Sequence, residues 1–200
     1  MVSWDDAHDC FGSFNEIASC DHNDNGVMWS SSVSGLDESD ISIGGAGFDD
    51  SENYTGSGVQ VVNLQGDVEF AWDFSNALDL QTVNISSESS DDSFGYVIVN
   101  NLTEVVLNKT LYVERLTNSN SVCVKDVLDE ILISDFSGNC NASDEVLVPC
   151  PGKKSDSSGW EYNCMVVDSG TKFKVWPLRY SAVSEIPSEA PCVENWNCTE

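Results

Sequence analysis

The chain has 200 residues and a mass of 21.8 kDa, the size of one or two small domains, and a formal net charge of −26. Its 34 Asp and Glu face only 8 Lys and Arg, and every basic residue lies at or after Lys109. That balance excludes nucleic-acid binding and adsorption to anionic lipid, both of which rest on Lys and Arg meeting phosphates. With 40% apolar and 10% aromatic residues and no run approaching 18 apolar residues, the chain reads as a folded acidic protein without a membrane-spanning helix.

From Met1 to about Asp50 the pattern is irregular, apart from one predicted short helix over Asp5 to Ile17, where Ala7, Phe11, Phe14 and Ile17 share a face. Within this stretch Gly44-Gly-Ala-Gly47 reads as a flexible turn, since no Lys-Ser/Thr follows to make a phosphate loop. Short β-type runs follow: Gly58–Leu64, Val68–Phe74, Leu80–Ser86, Phe94–Asn100, Lys109–Leu116, Ser121–Val127, Glu130–Phe136, Glu145–Val148, Glu161–Val167 and Lys172–Leu178. Gly, Asn, Asp and Ser separate them, a cadence that predicts antiparallel β structure and a sandwich. Val68-Glu-Phe70-Ala-Trp72-Asp-Phe74 alternates cleanly, with the apolar residues on one face and Glu69 and Asp73 on the other. Lys172-Phe-Lys174-Val-Trp176 alternates in the same way, and Tyr96–Val99 suits a central strand. Pro149 and Pro151 around Cys150 predict a strand end or an edge, and Glu185–Pro191, with two prolines, predicts a semi-rigid linker.

Eight cysteines fall into an N-terminal pair (Cys10, Cys20), a central four (Cys123, Cys140, Cys150, Cys164) and a C-terminal pair (Cys192, Cys198). An even, grouped count suits disulfides in an exported protein. The rival is a zinc site, against which stand the lack of any C-x2-C and the remoteness of His8 and His22 from the central four. Sequons at Asn53, Asn84, Asn101, Asn108, Asn141 and Asn197 agree with export and an N-glycosylated chain. The start at Met1 lacks a basic and an apolar signal region, so the chain reads as a segment of a longer exported protein.

Asp21-His-Asn23-Asp-Asn25-Gly-Val27 has the alternating oxygens and the glycine of a calcium loop, with Asp21, Asn23, Asn25 and the Val27 carbonyl as ligands for Ca2+. Ser32 stands where the closing Glu is expected, and the same residues also suit an Asx-rich surface turn; both readings stand. Trp29, Trp160 and Trp196 lie in loop-like contexts, where they either cap the core or face a carbohydrate ligand. No G-x-S-x-G occurs, and carboxylates are too abundant for any pair to single itself out as catalytic. The expectation is a non-enzyme.

Three resemblances add to this reading. Cys192-Val-Glu-Asn-Trp196-Asn-Cys198 resembles the opening of a thrombospondin type 1-like repeat. Phe94-Gly-Tyr-Val-Ile-Val99, Val122-Cys123-Val-Lys-Asp, Glu145-Val-Leu-Val-Pro-Cys150-Pro-Gly, Tyr162-Asn-Cys164 and Tyr180-Ser-Ala-Val183 together resemble a four-cysteine β-module of large exported archaeal surface proteins, over residues 58 to 186. Phe14 to Gly26 is similar to the helix-then-loop start of dockerin-type calcium repeats, from which Cys20 and Ser32 depart. These resemblances imply an extracellular or cell-surface multidomain protein whose partners are other surface proteins or glycans, and they assign no catalytic residue. The cysteine grouping suggests Cys10 with Cys20, Cys123 with Cys140 and Cys150 with Cys164, with Cys192 and Cys198 left for each other or a following module.

The expected organisation is an acidic segment over 1–52 with the candidate calcium loop, a mainly β antiparallel sandwich over 53–186, and a linker with the start of a Cys/Trp repeat over 187–200. The expected function is a non-catalytic structural or adhesion module stabilised by disulfides and, on one reading, by calcium. The alternative is a carbohydrate-binding module of a secreted hydrolase.

Overall fold

Alternation makes much of the described chain β: side chains of odd and even parity fall on opposite faces, and in strands such as Val68–Asp73 and Lys172–Leu178 one parity is apolar. The computed structural model describes residues 25–29, 36–88, 93–102 and 108–186. In chain order the strands are β1 (Val27–Met28), β2 (Ile41–Ile43), β3 (Ala46–Gly47), β4 (Val59–Leu64), β5 (Val68–Asp73), β6 (Leu78–Asp79), β7 (Asn84–Ser87), β8 (Tyr96–Asn100), β9 (Lys109–Glu114), β10 (Ser121–Lys125), β11 (Glu145–Pro149), β12 (Gly152–Ser155), β13 (Glu161–Val167), β14 (Lys172–Leu178) and β15 (Ala182–Glu185).

Two antiparallel sheets result, an eight-stranded one in the order β12-β13-β14-β9-β5-β4-β2-β3 and a five-stranded one in the order β11-β10-β15-β8-β7. Val62, Phe70, Leu111, Phe173 and Val175 from the larger sheet and Val97, Val122, Val148 and Val183 from the smaller belong to one buried cluster, which makes the fold a β-sandwich. β1 and β6 add a short parallel pair. β11 is the outer strand of its sheet and ends at Pro149, where the missing N–H does no harm. The chain then crosses through Cys150 and Pro151 to β12, the outer strand of the other sheet. Gly44 and Gly45 turn the β2–β3 hairpin with φ of +63° and +85°, the left-handed pair that a two-residue hairpin turn demands.

The structure corrects four sequence expectations. β2 pairs with β4, and Leu36, Ile41, Ile43 and Phe48 lie in the common core, so residues 36–52 belong to the sandwich and the boundary at 52/53 does not mark its edge. Glu130–Phe136 is no strand: Asn100 holds Ile131 from both sides, donating to its carbonyl and accepting from its N–H at 3.0 Å each, in place of a ladder. Ile131, Ile133 and Phe136 instead cover the outer face of the smaller sheet around Ile98 and Ala182. Leu80–Ser86 is split, because Asp79 accepts the N–H of Gln81 and Val83 closes a turn on Leu80, leaving β6 and β7 on either side. Finally, β12 and β15 form where no strand was expected, the one all exposed and lysine-bearing, the other buried throughout between β10 and β8. The predicted helix over Asp5 to Ile17 lies outside the described residues, as do residues 187–200.

Candidate functional site

The central four cysteines form two disulfides, Cys123–Cys140 and Cys150–Cys164. The first ties β10 to the loop before β11; the second ties the crossing between the sheets to β13. Cys123, Cys140 and Glu145 lie close together, but the two sulfurs share a bond. The Glu145 carboxylate takes the N–H of Ser137 at 2.6 Å, that of Ala142 at 3.0 Å, and the Ser137 hydroxyl. These three groups therefore have the chemistry of a loop anchor, not of a zinc centre. Cys10, Cys20, Cys192, Cys198, Asp21, Asn23 and Trp196 lie outside the described residues.

Asn25, at 1% exposure, accepts the N–H of Val27 on Oδ1 at 2.9 Å and donates from Nδ2 to the backbone and the carboxylate of Asp50 at 3.1 Å each. This is an Asx turn built into the core. Trp29 is half-buried and meets Phe48 edge-on, which stacks on Tyr54, which in turn contacts Phe74; the ring heads a file of aromatics running inward. Trp160 packs on the core, donates from Nε1 to the Pro177 carbonyl at 3.0 Å and lies 4.9 Å beneath the Arg179 guanidinium. Both rings have the core-capping role.

The densest polar cluster lies where β10, β13 and the end of β14 converge. The Asp126 side chain, 1% exposed, accepts the N–H groups of Arg179 at 3.1 Å and Tyr180 at 2.5 Å and the Tyr162 hydroxyl at 3.2 Å. Arg179 bridges it to Asp156, with Nε 3.4 Å from Asp126 and Nη2 2.9 Å from Asp156. Burial opposes the charge on Asp156, but hydrogen bonds from Ser158 and the Trp160 N–H, with Arg179 alongside, hold its pKa below the ordinary value. Burial first, and then the Asp126 charge, pushes the Tyr162 phenol upward. Nearby, Lys109 follows the inward parity of Leu111 and Val113; it is fully buried and donates from Nζ to the carbonyls of Leu102 and Arg179. A groove of about 450 Å³ opens beside this network, with Asp126, Tyr162, Asp156 and Lys154 among its lining residues.

The outer face of the eight-stranded sheet is different in kind. Tyr112 on β9 stands opposite Lys174 on β14, and Lys174 stands opposite Met165 on β13; Trp176 pairs with Asn163. The Lys174 ammonium lies 5.2 Å from the centre of the Tyr112 ring and 5.9 Å from that of Trp176. Glu69 on β5 reaches the same group, 3.4 Å from the Tyr112 hydroxyl and 4.0 Å from Lys174. Sequence parity already put Trp176 on the face of Lys172 and Lys174, and Tyr112 on that of Glu114; reading aromatics by parity rather than by loop context would have found this pair. The chain matches no family model, no curated protein and no solved structure in comparison with known proteins.

Proposed function

We propose that this chain is a non-catalytic extracellular or cell-surface module with a structural or adhesive role, one part of a larger multidomain surface protein. The observation that carries this reading is the condition of its buried acids. Asp126 is saturated by two backbone N–H groups, a phenol and Arg179; Glu145 is held by Ser137 and Ala142; Glu185 is held by Gly95, Leu116 and Thr117. A general acid must keep its proton near neutral pH, yet Asp156 is lowered and clamped by Arg179. These acids hold loops.

Two further observations support the extracellular part. Disulfides suit an oxidising compartment, and among the described residues no helix is long and apolar enough to cross a membrane. The sequon residues Asn53, Asn84, Asn101, Asn108 and Asn141 are all exposed, as N-glycosylation requires, with the Asn101 Nδ2 donating to the Thr82 carbonyl at 3.0 Å. Calcium is not required by this reading, because Asn25 already serves Val27; a role for Ca2+ at Asp21, Asn23, Asn25 and Val27 would be an addition. The carbohydrate-binding reading is favoured by the Tyr112–Lys174–Trp176 face. The test is incubation of the oxidised protein with insoluble polysaccharides and surface-protein fractions, measuring both retention and release of reducing ends or peptides. Retention without turnover is expected; turnover lost on Asp156→Asn would overturn the non-catalytic reading.

A further inference from the structure

We infer that the outer face of β9 and β14 is a glycan-binding surface, with Tyr112 and Trp176 as stacking platforms and Lys174, Asn163 and Glu69 as polar contacts. The inference rests on the binding-module reading and names its ligand class, a neutral pyranose oligosaccharide. A pyranose has an apolar C–H face, which lies against an aromatic ring, and an equatorial rim of hydroxyls, which needs donors and acceptors in the ring's plane. This face supplies both. Trp72 and Trp160 spend their indole N–H groups on Asn76 and Pro177 carbonyls, whereas the half-buried Trp176 makes no such bond among the described residues. The Tyr112 hydroxyl is held by Lys174 and, at 3.4 Å, by Glu69, contacts that a sugar hydroxyl can replace or bridge. Met165, opposite Lys174 on β13, is 42% exposed and extends the apolar floor.

Charge selects among occupants. Lys172 and Lys174 meet Asp67, Glu69 and Glu114 across these strands, so two cations face three acids and the patch is close to charge balance in a chain of net charge −26. A second copy would bring the same −26 with it and be repelled. A strongly anionic polymer meets the same field. An uncharged polyhydroxylated ligand meets no such repulsion, and the two rings flanking one ammonium offer it stacking and hydrogen bonding side by side.

The test uses the full chain with its disulfides oxidised. Retention on cellulose, chitin, β-1,3-glucan and α-mannan is measured first, followed by titration with soluble oligomers of whichever polymer retains it. Binding to at least one neutral polymer is expected, weakened about tenfold or more by Trp176→Ala and by Tyr112→Ala, and less by Trp176→Phe. Trp29→Ala should bind as wild type does. If Trp176→Ala unfolds, Tyr112→Ala and Lys174→Gln read the same surface. The inference is overturned if no neutral polymer retains the protein, if the Tyr112→Ala/Trp176→Ala pair binds unchanged, or if that pair abolishes a concentration-dependent dimer instead. Turnover of the bound polymer would sink the non-catalytic reading while leaving the surface assignment intact.

Discussion

Replacing Glu185 by Gln probes how this fold uses its acids. Glu185 ends β15 at 1% exposure, and its N–H donates to the Gly95 carbonyl at 2.7 Å. Its carboxylate accepts the N–H of Gly95 at 3.1 Å and of Leu116 at 3.0 Å on Oε2, with the Thr117 N–H at 3.0 Å and the Thr117 hydroxyl at 2.6 Å on Oε1. An amide keeps one oxygen. Placed over Gly95 and Leu116, it turns its NH2 toward the Thr117 N–H, which then faces another donor and keeps only its longer 3.2 Å contact to the Oε2 position, at a cost of about 1–3 kcal/mol. The two remaining bonds lose their charge assistance, about half their strength, which adds about 1–2 kcal/mol; not burying a charge returns part of this. The net expectation is a loss of about 2–4 kcal/mol, or roughly 5–12 °C in the unfolding midpoint of a fold this size. Thermal and urea unfolding of the oxidised protein measure it, and Glu185→Leu, which orphans every donor, should be worse. A Gln variant within about 2 °C of wild type, or a Leu variant more stable than Gln, would refute the idea that the carboxylate organises the strand ends.

Gly95→Ala should be at least as damaging, because a Cβ there would sit 1.7 Å from the Glu114 carbonyl oxygen, a backbone atom no rotamer can relieve; a loss of about 3 kcal/mol or more is expected, and a neutral result by urea unfolding would contradict the close approach of β8 and β9. Burial pushes the Lys109 ammonium down to about 8 from 10.5, so between those values the unfolded chain holds more protons and stability should rise with pH; Tyr162 is raised, so above about pH 10 the folded state holds more and stability should fall. Urea midpoints from pH 7 to 11 should therefore pass through a maximum, and Lys109→Met should lose the rising limb; parallel profiles would count against the burial of a lysine. Unfolding in calcium and in sodium chloride of matched ionic strength should give equal midpoints, since the Asn25 oxygen already serves Val27. A calcium-specific rise abolished by chelator would instead restore the loop of Asp21 to Val27 as a site. Non-reducing peptide mapping should recover Cys123–Cys140 and Cys150–Cys164, and cross-links between these pairs would break the assignment.

The strands that face water on one side were legible because alternation is enforced by burial: Val68, Phe70 and Trp72 point inward and Glu69 and Asp73 outward, as the sequence reads. Strands failed to be legible where burial and polarity part company. β15 is buried on both faces yet contains Ser184, whose hydroxyl donates to the adjacent Glu185 carbonyl, and Glu185, whose carboxylate is satisfied by partners far away in sequence that no local pattern reveals. β12 is exposed on both faces and carries Lys153 and Lys154, the charges that keep an edge strand from pairing with another chain. Conversely, Glu130–Phe136 has the apolar spacing of a strand, but the side chain of Asn100 takes the backbone bonds of Ile131 and the segment becomes a cover. Lys109 was hidden for the opposite reason: parity sent it inward, and only the carbonyls of Leu102 and Arg179 explain why a lysine tolerates that position.

Acidity was the loudest signal in the sequence and the least specific about function, for a physical reason. With 34 acids and 8 cations most carboxylates cannot find an ion-pair partner, so many turn to backbone N–H groups instead. Asp49 takes the N–H of Ser51, Asp73 that of Ser75, Asp79 that of Gln81 and Asp156 that of Ser158, all two residues on, and Asn25 does the same for Val27. A candidate calcium ligand is thus one instance of a turn device repeated through the chain. Asp126 and Glu185, the buried acids of the described residues, follow the same logic, each accepting backbone N–H groups of a loop. The informative residues are those the scaffold leaves unspent. Trp176 and Tyr112 sit on the solvent side of a sheet whose inner face already has its aromatics, and burial of the core does not require them there. Large rings kept half in water make sense when something else covers them, and the nearly balanced charge around Lys174 points to an uncharged ligand.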